Sequence, residues 1–175
     1  HPCPVWRRVT TAFLIFVCLA SPAVFAATGW LTLAGPKRLS GALAGGLAAA
    51  VFNIGWDALA GRMDWWAYHS SGDVLPTLAI SISVVFVFGA TAGLVGWRMM
   101  RAMGWTGVAT FFAGYVGLGM LRDHMLATNS TLFAFGAGPM PQVMGAVGYL
   151  SLALVVQVTM LLMAGPPRHD PLRAS

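Results

Sequence analysis

The sequence predicts an all-α integral membrane protein, a compact bundle of five transmembrane helices, and three observations predict it. Apolar residues fill 58% of the 175 positions, and mean hydropathy is +0.75. Only 9% of residues are charged and glutamate is absent, whereas soluble domains carry about 25% charged residues to cover their surface. The apolar residues also run continuously, in stretches near the ~20 residues of helix that cross ~30 Å of hydrocarbon. Helices are required because backbone amides in lipid find no water partner and an open strand edge would stay unsatisfied. The strand alternative fails on pattern: barrel strands alternate apolar and polar over about ten residues, and "ISISVVFVFGATAGLVGW" keeps that rhythm only briefly. A single domain over 1–165 is expected, followed by a polar, proline-containing disordered tail at 166–175.

The first span, 10–34, follows Arg7 and Arg8 and includes "SPAVFAA". It could be a secretory signal cleaved near Ala26 or a retained helix. Signal cores run about 7 to 15 apolar residues, and this run continues through Trp30 to Leu33. A retained helix is therefore expected, with Pro22 as a kink of the kind membrane helices tolerate. Further spans are expected at 40–59, 74–97, 102–121 and 141–164, joined by "GPKRL", the segment between Asp57 and Asp73, "RMMR", and a longer piece from Arg122 to Pro141. Small residues at four-residue spacing (Gly41, Gly45 and Ala49; Gly89 and Gly93), with Gly104, Gly107, Gly114 and Gly117 in the fourth span, would let helix backbones approach closely where lipid supplies no hydrophobic drive.

Ten Lys and Arg against five Asp give a net charge of +5. The basic residues sit singly or in pairs at the ends of apolar runs, where they set orientation, and none interleaves with aromatics as a nucleic-acid groove requires. Nucleic acid is therefore not an expected partner. Loop charges counted on the two sides lean towards an outside N-terminus, and the expected setting is multi-pass in a bacterial inner membrane. Cys3 and Cys18 read as unpaired thiols, Cys18 in a packing role. No HxxxH, HExxH or CxxC spacing, phosphate loop, dinucleotide fingerprint or GxSxG occurs, so neither metal nor cofactor is expected. "NST" at 129–131 matches a glycosylation sequon, which matters only in a eukaryotic secretory setting.

Five spans place "DALAGRMDWWAYHSSGD" (57–73) and "LRDHM" (121–125) on the same side, so acids, histidines and an arginine gather on one face. Asp57 falls within about one turn of the end of its span and shares a helical face with Asn53, four residues earlier. A carboxylate at such depth needs a partner, water or a proton. Arg62 or Arg122 could supply that partner without any further role. On the functional reading, Asp57 is an acid or anchor, Asp64 and Asp123 are secondary acids, His69 and His124 relay protons, and Arg122 orients the ligand. Asn53, Trp56, Trp65, Trp66 and Tyr68 line a pocket. The same rings also suit the aromatic belt at headgroup level, and Arg122 and Asp123 could simply pair locally. Aromatic faces attract a cation, and an acid beside several rings suits an isoprenoid, whose alkene it could protonate while the rings stabilise the carbocation.

Trp56-Asp57 followed by Trp65, Trp66 and Tyr68 resembles small membrane-integral carotenoid and terpenoid enzymes over that stretch alone, without their glutamate-bearing motifs. The functional expectation is a protein that binds or modifies a lipophilic, isoprenoid-like or lipid-like small molecule at a polar, aromatic-lined pocket on one membrane face. The alternative is a non-catalytic subunit or assembly factor whose small-residue faces dock on membrane-protein partners or on a second copy. Membrane lipids are partners under both readings. A channel or transporter built by oligomerisation is the third class, and no ionisable chain crosses the spans to support it.

Overall fold

The computed structural model describes residues 4–68, 79, 81–129 and 133–167, with 4–11 and 13 as backbone only. Five long helices dominate: α1 (Pro4–Leu31), α2 (Pro36–Arg62), α3 (Ser81–Met103), α4 (Trp105–Asn129) and α5 (Met140–Ala164). At 1.5 Å per residue each is roughly 35 to 42 Å long. Four of them, α1, α2, α3 and α5, are long and apolar enough to cross a membrane. The fourth in chain order, α4, is as long as α5, but its glycines and the "LRDH" turn lower its hydropathy. The all-α class expected from the sequence is what the chain adopts, as a multi-pass membrane protein.

Helix α1 runs unbroken through Pro22 and across Ala26. Near the proline, which lacks a backbone donor, the Ser21 hydroxyl donates to the Val17 carbonyl at 2.7 Å. The helix lies at the periphery against α3, with Phe16, Leu19 and Trp30 exposed. Leu33, in a left-handed conformation (φ 54°), turns the chain, and Pro36 starts α2, where its missing N–H costs nothing. Lys37 and Arg38 therefore lie inside α2 and not in a connection. Likewise "RMMR" forms the end of α3, not a loop; the break comes at Gly104, whose φ of 59° and ψ of −130° only glycine adopts readily.

The core forms where α2, α3, α4 and α5 meet, around Leu94, Trp97, Phe111, Tyr115, Leu152, Val156 and Met160. A Cβ at Gly41 would meet Met160, Met163 and Ala164 of α5 at 3.6–3.7 Å, and one at Gly45 would press on Val156 at 3.1–3.4 Å. Gly93 faces Val156 and Met160 from the other side. The tightest crossing joins Gly46 of α2 to Gly89 of α3, where a Cβ on either residue would strike the other helix's backbone. There α3 widens into a π-helical stretch, Val84–Thr91, rich in β-branched residues, and the Phe88 carbonyl accepts a hydrogen bond from the Tyr115 hydroxyl at 2.8 Å. Gly104 and Gly107 belong to the α3–α4 turn, Gly107 against the Met99 carbonyl, while Gly114 and Gly117 meet nothing within 4 Å. The expected glycine packing thus operates in α2 and α3 and not along the middle of α4.

Contacts fix the helix directions. Met99 lies near Gly107, Gly96 near Phe111 and Phe88 near Tyr115, so α3 and α4 run antiparallel. Gly41 lies near Met163 and Trp56 near Gly148, so α2 and α5 do too. One end of the bundle therefore collects the start of α2, the α3–α4 turn and the end of α5. The opposite end collects the close of α2, the close of α4 and the start of α5. At that opposite end the connections pair as a two-stranded antiparallel ribbon, β1 (Trp66–Tyr68) with β2 (Phe133–Phe135), in the register Trp66–Phe135, Ala67–Ala134 and Tyr68–Phe133. It is extended by the Gly136 amide donating to the Trp65 carbonyl at 2.8 Å. A small satellite core of Ala60, Trp66 and Phe133 sits beneath the ribbon.

Candidate functional site

The ribbon presses Trp66 down onto the last turns of α2, and its indole Nε1 donates to Asp57 Oδ1 at 3.0 Å. From one turn earlier on the same helical face, Asn53 Nδ2 donates to Asp57 Oδ2 at 2.7 Å. Both partners are pure donors at the contacting atoms, the arrangement that suits an ionised, acceptor-only carboxylate. Opposite, on α4, Asp123 is only 8% exposed. Its Oδ1 accepts from Arg122 Nε and Nη2 at 2.9 and 2.7 Å, and its Oδ2 accepts from the Tyr149 hydroxyl at 2.9 Å. The Arg122 guanidinium lies over the Phe88 ring, 4.7 Å from its centre, and 5.8 Å from that of Tyr149.

Between these groups lies a cleft lined by Asn53, Trp56, Asp57, Trp66, Tyr68, Arg122, Asp123, Gly145, Gly148, Tyr149 and Leu152. Its empty space is about 320 Å³, part of it open to the surroundings. Gly145 and Gly148 form a wall without side chains, and at Gly148 a Cβ would collide with the Trp56 indole nitrogen, which is buried without a hydrogen-bond partner. Although Tyr68 keeps 38% of its surface exposed, loss of solvent and then the facing Asp57 carboxylate push its phenol above the usual range, so it stays a donor.

Counted with both aspartates ionised, one arginine against two aspartates leaves the cleft one negative charge in excess, on Asp57. The nearby Arg122 guanidinium is committed to Asp123 by two hydrogen bonds, and among the described residues every hydrogen bond on Asp57 comes from a neutral side chain. Local Arg–Asp pairing is therefore realised at Arg122–Asp123, and the salt bridge that could have satisfied Asp57 is not formed.

Of the residues expected to build the site, Asn53, Trp56, Asp57, Trp66, Tyr68, Arg122 and Asp123 line one cleft. Trp66 acts there as a hydrogen-bond donor as well as a wall. Trp65 stands behind it, tilted against Trp56 and Trp66 at centroid distances of 6.0 and 6.2 Å. Asp64 is exposed at the turn before the ribbon, with φ 53°, and its backbone carbonyl lies against Gly136. His124 is exposed on the far side of α4. Neither lines the cleft, and His69 lies outside the described residues. Sequence reasoning missed Tyr149, Gly145, Gly148 and Leu152. Their spacing is that of one helical face, and a tyrosine within an apolar helix signals a hydroxyl that needs a partner.

Among the described residues no three His, Cys or Asp side chains gather as a metal ion would require. Compared with family models, with curated proteins and with solved structures, the chain matches none.

Proposed function

We propose that this chain is a five-span membrane protein that binds a lipophilic small molecule by its polar end, in the cleft between Asp57 and Asp123. The observation that carries the reading is Asp57 itself: a carboxylate at the edge of an apolar span, held by Asn53 and Trp66, beside a cleft and with no cation among the described residues bonded to it. The cleft would take the polar head, and the ligand's chain would lie outside it. Exposed apolar side chains on the two flanking helices, Val51 and Ile54 of α2 and Val147 and Leu150 of α5, offer that chain a lipid-facing surface. Binding is favoured over modification, because both acids already hold structural hydrogen bonds.

Crossing by α4 is part of the proposal. It lies antiparallel to α3, a helix apolar enough to span, and matches it in length, so it would traverse the same slab. Its charged turn, Arg122–His124, would then fall at the interface. Extraction in mild detergent followed by mass spectrometry of retained small molecules tests the reading. The native chain is expected to hold a lipophilic molecule that Asp57→Asn loses. Equal retention by both would remove Asp57 from the site.

The subunit reading is favoured by one observation. Gly114 and Gly117 of α4 face open space beside the exposed Leu118 and Leu121, a surface on which another membrane helix could pack closely. Migration of the extracted protein as a stable complex with other polypeptides, free of bound small molecule, would support it.

A further inference from the structure

Resting on the reading that the cleft binds the polar end of a lipophilic molecule, we infer that this end is a primary ammonium. Two features of the cleft point the same way. With both aspartates ionised it carries one negative charge in excess, on Asp57, whose two oxygens each accept one hydrogen bond from a neutral donor and keep lone pairs for more. The walls around it are the ring systems of Trp56, Trp66, Tyr68 and Tyr149, whose faces attract cations.

Competing heads meet specific obstacles. A carboxylate or phosphate would face Asp57 and Asp123 while Arg122, the only cation among the described lining residues, is already bonded to Asp123. A quaternary ammonium has no N–H to give the Asp57 oxygens. An alcohol would fit but would leave the charge on Asp57 unanswered. A primary ammonium is compact, donates three hydrogen bonds and can reach Asp57 while its methylene stem leaves along the rings. A free long-chain amine and the ethanolamine end of a phospholipid share this chemistry.

The test uses the full chain in phosphatidylcholine nanodiscs, with thermal unfolding followed after adding chain-matched dodecylamine, dodecanol or dodecyltrimethylammonium at equal mole fraction. Dodecylamine is expected to raise the unfolding midpoint, with apparent affinity at least tenfold above the other two, and Asp57→Asn is expected to abolish that preference. Replacing part of the phosphatidylcholine by phosphatidylethanolamine separates the two sources: stabilisation there assigns the lipid headgroup, and its absence beside a response to dodecylamine assigns a free amine. Equal stabilisation by dodecanol overturns the ammonium inference but leaves a lipophile-binding cleft, and equal stabilisation by the quaternary amine overturns the primary class. A preference that survives Asp57→Asn overturns the role of that residue. If none of the compounds, phosphatidylethanolamine included, stabilises the native chain, the binding reading falls as well. The comparison among ligands on the native chain decides the matter even should Asp57→Asn fold poorly.

Discussion

Arg38 shows how far a single side chain can depart from its expected place. At the end of an apolar run it reads as an interfacial charge, yet it is 1% exposed. Its Nη2 donates to the carbonyls of Ala164 and Gly165 at 3.3 and 2.9 Å, and its guanidinium lies 5.1 Å from the centre of the Trp97 ring. These carbonyls belong to the last turn of α5, which has no further helical donors to offer them. Arg101 does similar work nearby, donating to the Pro167 carbonyl at 2.8 Å. Hydrogen bonds from a charged donor contribute about 1.5 to 3 kcal/mol when both groups are buried, so Arg38→Met should lower stability by about 2 kcal/mol or more. Thermal unfolding in detergent measures this, and an unchanged midpoint would show that the clamp is dispensable.

At the scale of the elements, the crossing of α2 with α3 depends on Gly46 and Gly89 having no side chains. In Gly46→Ala the new methyl would fall on the Val85 carbonyl, backbone that cannot rotate away. A loss of about 1 to 3 kcal/mol is expected, the usual cost of overfilling a packed interface. Gly114→Ala, in open space, should cost nothing and could add about 0.5 to 1 kcal/mol through helix propensity. Comparing the two unfolding midpoints tests the packing directly, and equal effects would contradict it. The ribbon allows an independent check, since Ala67 and Ala134 are directly opposite and both exposed. Cysteines at these two positions, in a background lacking Cys3 and Cys18, lie at a separation disulfides accept. Oxidation should cross-link them within one chain, seen as a mobility shift on a non-reducing gel, whereas two unlinked thiols would mean that the loops are not paired.

For the molecule as a whole, the polar cleft and the arginine clamps occupy opposite ends of one bundle. If all five helices cross the membrane, single cysteines at Asp64 and Ala137 should react with an impermeant maleimide from one side. Those at Lys37 and Trp105, all four positions being exposed, should react only from the other. Labelling of positions 105 and 137 from the same side would show that α4 does not cross and would leave four spans. Such a result would also place Arg122 and Asp123 at a depth unrelated to Asp57 and so remove the proposed cleft.

Helical class, approximate spans and the gathering of polar residues in two connections were legible in the sequence, because hydropathy and run length are properties of the chain taken in order. Asp57 with Asn53 could also be read there, since both lie on one face of one helix. The partners that cross between elements could not. That Trp66 bonds Asp57, that Tyr149 and not only Arg122 engages Asp123, and that Asp64 and His124 turn away all depend on the rotation and register of packed helices. Those are decided by close contacts such as Gly46 on Gly89 and Gly119 on the Tyr149 ring, and by a ribbon too short for its pattern to stand out in the sequence. The residues carry the charges, but only the tertiary structure determines which charge is left without a counterion.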